Sequence, residues 1–510
     1  MAARHQHLNQ ALLRIPRRAE SSDRNTLSAT YVAAGSFAAL LHSSDHQILY
    51  GRRGTGKTHA LMYLSDLLVD TGDIPIYLDL RTIGSAGGLY SDSSQSAAAR
   101  GTHLLVDTLE AVHDGLLTVA VDRDVTDSAG LLDHLDALAE AATKVKVVGE
   151  VERATTVGGS TELSGEVTLS SSPRLSGSRR RSLTAESRLL RTGVEHHHVL
   201  FGPLTRALRG ITRALGEARL WLLLDEWSSI PRDLQPFLAD LLRRSVLPIG
   251  GITVKIAAIE RRAQFALPAA AGDYLGIEVG SDAASAVNLD EFLAFDHGRA
   301  RAREFFAQLF YNHAWLRLTT MIKDPPPDAE SFIDETFRRG AFVELVRAAE
   351  GVPRDAINIA ALAAQHAHNE PIAIPDVRRA ARDWYLRDKQ TAITANEPAR
   401  ATLRMLVDEV IGNRRSRTFV IDQEAGQRHS TIEDLHDARL LHLLRRGITD
   451  PSHPGTLYDG FAIDYGCYVS LLIDEPRFHV RDRGDWLNNP KGVPPEGFTV
   501  AKAAINLDTL

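Results

Sequence analysis

The chain has 510 residues, 44% hydrophobic and 24% charged, with a net charge of −7 and a single cysteine, Cys467. The length gives room for roughly two to four domains, and the acidic balance excludes a blanket of positive charge for nucleic acid, so any DNA contact must come from a local basic patch. One cysteine excludes an internal disulfide, and no apolar run approaches the roughly 18 residues of a membrane span; a cytoplasmic protein with no membrane partner is expected.

Residues 1–25 are basic and hold no acid before Glu20. They lack the apolar core of a secretory signal and read as a loose basic arm. Gln47 to Tyr50 reads as a short buried strand. It runs into Gly51-Arg52-Arg53-Gly54-Thr55-Gly56-Lys57-Thr58, which fits the phosphate-binding pattern G-x-x-x-x-G-K-[ST]. Ala60, Leu61, Leu64, Leu67 and Leu68 then recur at helical spacing. Strand, glycine loop and helix is the context that pattern needs. Its backbone N–H groups and helix dipole would wrap the phosphates of ATP. Lys57 would bridge the outer phosphates, and the Thr58 hydroxyl would ligate Mg²⁺.

Ile74 to Arg81 is a second strand. Thr58 and Asp225 are then far apart in sequence, and an insertion is expected at about 85–200. It begins with two amphipathic helical stretches. Val145–Val151 and Thr161–Leu169 alternate around Gly158-Gly159 and predict a β-hairpin. A loop with Arg174, Arg179, Arg180, Arg181 and Arg188 follows, either solvated or touching a phosphate backbone. Three successive histidines, His196 to His198, would alternate faces on a strand and so cannot converge on one metal ion.

Leu220 to Leu224 is a continuous apolar run, as expected of a parallel strand buried on both faces. It ends in Asp225 and Glu226. Asp225 would hold Mg²⁺ through water, and Glu226 would polarise an attacking water as general base. An amphipathic helix ends in Arg243 and Arg244, which suit a helix C-terminus. Gly251–Glu260 is a further strand, and Asp273–Gly280 is expected as a fifth. Residues 288–390 read as mostly helical. Beyond Trp384 the order is helix, strand, a helix running from Ser430 to Gly447, then strands around turns between Leu457 and Ile473. That order predicts a winged-helix-like domain, although Glu433, Asp434 and Asp437 in its candidate recognition helix would repel phosphates.

Over roughly residues 25–480 these pieces resemble the AAA+ P-loop ATPases. The segment AFVELVRAAEGVPRDAINIAALAAQHA, Ala341 to Ala367, is similar to their helical lid. That lid carries an arginine after a Gly-x-x-Arg step, here Gly351-Val352-Pro353-Arg354. With the C-terminal region, it is most similar to the origin-recognition (replication-initiator) clade. The resemblance implies an ATPase set of Lys57, Thr58, Asp225, Glu226 and Arg354. It also implies that Arg243 or Arg244 completes a neighbour's site in a homo- or hetero-oligomer. The fourth strand departs from the pattern: Glu260, then Arg261 and Arg262, stand where a polar sensor is usual.

The expected fold is α/β. An AAA+ core at 26–285 with a parallel sheet is followed by a helical lid at 286–390 and a winged-helix-like domain at 391–510. The expected function is ATP-gated binding or remodelling of double-stranded DNA or a protein partner, with ATP hydrolysis that Glu260 would slow. The alternative is a nucleotide-gated signalling or defence ATPase of low turnover that acts through a protein effector. A metabolic kinase is argued against by the lid and the Asp-Glu pair.

Overall fold

The computed structural model describes residues 2–32, 37–83, 96–122, 127–143, 145–148, 151–153, 167–169, 189–191, 194–197, 201–268, 274–282, 285–290, 299–474, 487 and 499–507. The protein is mixed α/β and folds as two compact units. Residues 43–49 and 64–287 form one, and residues 1–42, 50–63 and 288–510 form the other.

The first unit is built on a five-stranded sheet in the order Ser285–Asn288, Gln47–Tyr50, Ile252–Ala258, Leu220–Asp225, Ile74–Asp79. Leu220–Asp225 pairs in parallel with Ile74–Asp79 on one side and Ile252–Ala258 on the other. Every residue of Leu220–Asp225 and Ile252–Ala258 is buried, whereas Ile74–Asp79 at the edge alternates. Such near-continuous burial is what a parallel strand covered on both faces requires. Inside it lies Lys255, whose ammonium donates to the carbonyls of Ser43 and Asp45 and to Gln47 Oε1. The helices Ala97–Asp122, Ser128–Thr143 and Phe201–Ala214 pack in succession.

Two expectations change here. The strand Tyr274–Gly276 is not a fifth member of the sheet. It pairs antiparallel with Ala266–Pro268, and Ser285–Asn288 takes the edge instead. The predicted hairpin is part of a larger arrangement. Val145–Val147 does pair antiparallel with Val167–Leu169, but Val145–Val148 also pairs with Val194–His197 on its other side. His196 and His197 lie on that strand. His198 and Arg174, Arg179, Arg180, Arg181 and Arg188 lie outside the described residues.

The second unit begins with a correction. The residues expected as a loose basic arm form the helix Ala2–Leu13. Leu8, Ala11, Leu12 and Ile15 are buried in one core with Phe306, Phe310 and Ala360 of the helical region. Arg4 pairs with Glu335, and Asn9 Nδ2 donates to the carbonyls of His368 and Glu370. The helical region comprises Arg299–Met321, Ala329–Thr336, Ala341–Ala349, Pro353–Ala367 and Ile374–Trp384. The last runs into a π turn, Tyr385–Lys389, that ends on the buried Lys389.

The C-terminal part has the helix Glu397–Leu406, the strand Thr418–Asp422, the helices Gln423–Arg428 and Ser430–Asp437, and a hairpin of Leu441–Thr449 and Leu457–Ile463. The second hairpin strand also pairs antiparallel with Thr418–Asp422. The helix expected through Gly447 stops ten residues sooner, at Asp437. Arg439 there adopts a left-handed φ of 62°, and the Leu440 N–H returns to the Leu435 carbonyl at 2.9 Å. This is a Schellman closure, with arginine where glycine is usual. Tyr465–Asp474, expected as strand, is a helix. Its Tyr465 and Val469 enter the core of the helical region, while Cys467 enters the C-terminal core.

Candidate nucleotide site

The loop Gly51–Thr58 leaves its strand and starts the helix Lys57–Asp70, whose first turn closes with the Ala60 N–H on the Gly56 carbonyl. Gly54 and Gly56 have φ of 86° and 96°, in the region that favours glycine. A Cβ on Gly54 would stand 2.7 Å from the Arg354 Cβ. A Cβ on Gly56 would meet nothing within 4 Å, so the space beside it is open. The Lys57 ammonium lies over the loop and donates to the carbonyls of Gly51 at 2.8 Å and Arg52 at 3.0 Å. Thr55 Oγ1 donates to the same Arg52 carbonyl, and Thr58 is half-buried. Glycine backbone, an ammonium and a hydroxyl at a helix start are the groups a triphosphate with Mg²⁺ needs, and they fit it.

Arg52 and Arg53 differ. Arg53 is exposed. Arg52 is buried, with its Nε on Asp290 Oδ1 at 3.1 Å, its Nη1 on His442 Nδ1 at 2.7 Å and its Nη2 on the Glu350 carbonyl at 3.3 Å.

The Gly-x-x-Arg step meets the loop directly. Glu350 and Gly351 turn through left-handed φ, and Pro353 opens the next helix with Val352 as its N-cap. Pro at the first helical position lacks only an N–H that would have had no helical partner. The Arg354 N–H then donates to the Gly54 carbonyl at 3.1 Å. Asn358 Nδ2 holds the Arg354 carbonyl from one turn on.

In the sheet unit, Asp225 ends its strand fully buried. Its Oδ2 accepts from Tyr77 Oη at 2.9 Å, and its Oδ1 from the Glu226 N–H at 2.8 Å. Burial and then Asp225 raise the Tyr77 phenol far above its ordinary pKa, so it stays a donor. Glu226 has a left-handed φ of 55°, a strained position for a side chain that is not glycine. Its carboxylate is partly exposed, 4.0 Å from the Arg81 guanidinium. Burial opposes ionisation of Asp79, yet Arg81 holds its pKa below the usual range.

Arg243 and Arg244 both pair with Asp240. Arg243 also lies over the Tyr274 ring and is the more buried of the two. Arg244 has its side chain about half exposed. Glu260, Arg261 and Arg262 form a single 3-10 turn just beyond the strand Ile252–Ala258.

Sequence reasoning missed Tyr77, Arg81 and His442. For the first two a signal existed, since Asp79 is in register with Asp225 and Tyr77 lies two residues before it. For His442 none existed. Among the described residues, no group of three His, Cys, Asp or Glu side chains gathers as a metal site, and no helix is long and apolar enough to cross a membrane.

No family model matches the chain, and no curated protein matches it. Solved structures do match, among them the Orc1 protein of Aeropyrum pernix in complex with DNA. It is 13% identical over 92% of this chain and 96% of that one, with a TM-score of 0.32. That overlap is too loose to establish a shared fold.

Proposed function

We propose that the chain is an AAA+ ATPase of the origin-recognition type, in which bound ATP gates the binding of double-stranded DNA or a protein partner. The observation that carries this reading is the Arg354 N–H on the Gly54 carbonyl at 3.1 Å. It joins the lid step to the phosphate loop, which is where an arginine must start if it is to reach a γ-phosphate. Loop residues Gly51 to Thr58 would hold the phosphates, with Lys57 and Arg354 on the outer ones. Thr58 and Asp225 would hold Mg²⁺, which supplies positive charge to the phosphate oxygens. Glu226 would orient water as general base. Of the two candidate trans arginines, Arg244 is favoured by its exposure, and the active form would be an oligomer.

The proposed domains are a core at 26–285 with its insertion, a lid at 286–390 and a winged helix at 391–510. The last is supported by the order helix, strand, helix and hairpin, and by the pairing of the second hairpin strand with the first strand. Arg445 and Arg446 on that hairpin suit a phosphate backbone. A cytoplasmic location goes with this reading.

A second reading, a slow nucleotide switch with a protein effector, is favoured by the acids of the helix Ser430–Asp437, where Asp434 is already engaged by Asn396 at 2.7 Å. Fluorescence anisotropy on duplex DNA at two salt concentrations separates them, using Glu226→Gln with ATP and with ADP. ATP-dependent binding that weakens steeply with salt supports the DNA reading. No binding in either state supports the effector. A Lys57→Ala variant that holds ATP as tightly as the parent would sink both.

A further inference from the structure

The phosphate loop is anchored to a residue 390 positions away. Arg52 Nη1 lies 2.7 Å from His442 Nδ1, on the first strand of the C-terminal hairpin. A guanidinium can only donate, so Nδ1 must be the acceptor and the ring proton is on Nε2. That Nε2–H donates to Asp464 Oδ2 at 3.2 Å, and Asp464 also takes the Lys389 ammonium at 2.5 Å. On the other side, the Arg52 carbonyl is the seat of both Lys57 Nζ and Thr55 Oγ1. Two hydrogen bonds, with the length of Arg52 between them, therefore connect His442 to the Lys57 ammonium. Both His442 and Arg52 are buried, so solvent does not substitute for either partner.

We propose that His442 is a positioning residue of the phosphate loop, holding it through Arg52 so that nucleotide affinity depends on the C-terminal hairpin. This rests on the nucleotide-site reading above. It deepens that reading, because a loop held from the hairpin links the two thermodynamically. Whatever engages the hairpin and shifts His442 changes nucleotide affinity, and nucleotide changes that engagement by the same factor.

The arrangement also has a chemical signature. A proton on Nδ1 would turn the acceptor into a donor facing a guanidinium, and the anchor would break. The charged groups around the ring come from four elements: Arg52 from the loop, Glu350 from the turn before Arg354, Lys389 from the π turn and Asp464 after the hairpin. Burial lowers the His442 pKa most, Glu350 and Asp464 oppose this, and Arg52 and Lys389 add to it. The net direction is down, so the neutral ring persists at neutral pH and the anchor is lost only on acidification.

The test uses the full chain and a fluorescent N-methylanthraniloyl ATP, titrated from about pH 5.5 to 8. His442→Ala should weaken binding about tenfold at neutral pH, the scale of one buried hydrogen bond to a charged group. His442→Gln, which offers an acceptor and a donor but does not titrate, should recover most of that loss. The parent should lose affinity at the acid end relative to H442Q, a comparison in which the nucleotide's own titration cancels. If H442A does not fold, Arg52→Met, which removes the His442 contact together with those to Asp290 and the Glu350 carbonyl, should weaken binding at least as much. Binding by H442A or R52M within about twofold of a parent that does bind overturns the proposal. So does a parent and an H442Q with the same pH profile. A parent that binds no nucleotide at any pH overturns the nucleotide-site reading itself, which is a different result.

Discussion

The Lys389 ammonium lies 2.9 Å from Asp355, the residue that follows Arg354 in the chain. Lys389 and Asp355 are both fully buried, and Arg439 and Trp384 Nε1 complete the shell of the carboxylate. On the other side of Arg354, the buried Glu350 pairs with Arg417. The step that carries Arg354 is thus held at both flanks by cations that follow it in the chain, Lys389 from the π turn and Arg439 and Arg417 from the C-terminal part of the same unit.

Removing one of those cations should be costly. Lys389→Met leaves Asp355 and Asp464 short of positive charge in a buried place, and breaking such a pair typically costs about 3–5 kcal/mol. Chemical denaturation followed by far-ultraviolet circular dichroism should show the loss. A variant as stable as the parent would mean that Arg439 alone neutralises the cluster.

The two left-handed glycines of the loop should fail differently. Gly54→Ala meets the Arg354 Cβ at 2.7 Å and also strains φ, so it should lower both the melting temperature and nucleotide affinity. Gly56→Ala meets nothing, so its stability cost is the conformational strain of about 1–2 kcal/mol. Its methyl group, however, stands in the open space beside the loop, where the phosphates are proposed to lie. Its effect on nucleotide affinity should therefore exceed its effect on melting, the reverse of what a purely structural loop would give.

A glycine loop between a strand and a helix, a buried strand ending at Asp225 and a helix opening at Pro353 were legible in the sequence because each is a local signal. A loop pattern, an apolar run and a proline at a helix start do not depend on what packs against them. What failed was tertiary. The end of a helix at Asp437 could not be read, because Arg439 takes a glycine-like φ of 62° while its guanidinium pairs with Asp355 and Asp388. Tyr274–Gly276 had the composition of a sheet strand, but among the described residues its registered partner is Ala266–Pro268. The Arg52–His442 contact joins residues with no shared pattern.

The first helix, expected as a loose arm, gives another check. Leu12 is fully buried in the core of the helical region. Leu12→Ala should destabilise this unit by about 2–5 kcal/mol, the usual range for a large-to-small change in a core. A free arm would lose nothing measurable, so thermal unfolding decides between the two.

Lys255 predicts an unusual response to alkali. Burial lowers its pKa to about 7, with Asp45 opposing. Above that pH the folded lysine is neutral, while the unfolded one keeps its proton up to its ordinary pKa near 10.4. The unfolded state then binds more protons, so stability should rise with pH across this window. The urea midpoint of the sheet unit should therefore increase from about pH 7 to 9.5, and Lys255→Met should flatten the rise. An equal rise in both proteins would assign it to other groups.

The 390-residue span between Arg52 and His442 also sets an order in time. At the roughly 5–20 residues per second of ribosomal synthesis, Arg52 emerges about 20–80 s before its partner. Through that interval the nascent loop carries a guanidinium whose buried seat has not yet been made. If the loop holds ATP as proposed, binding in the anchored form would report that synthesis has passed the strand of His442, and a chain terminated before that strand would lack that form of the loop.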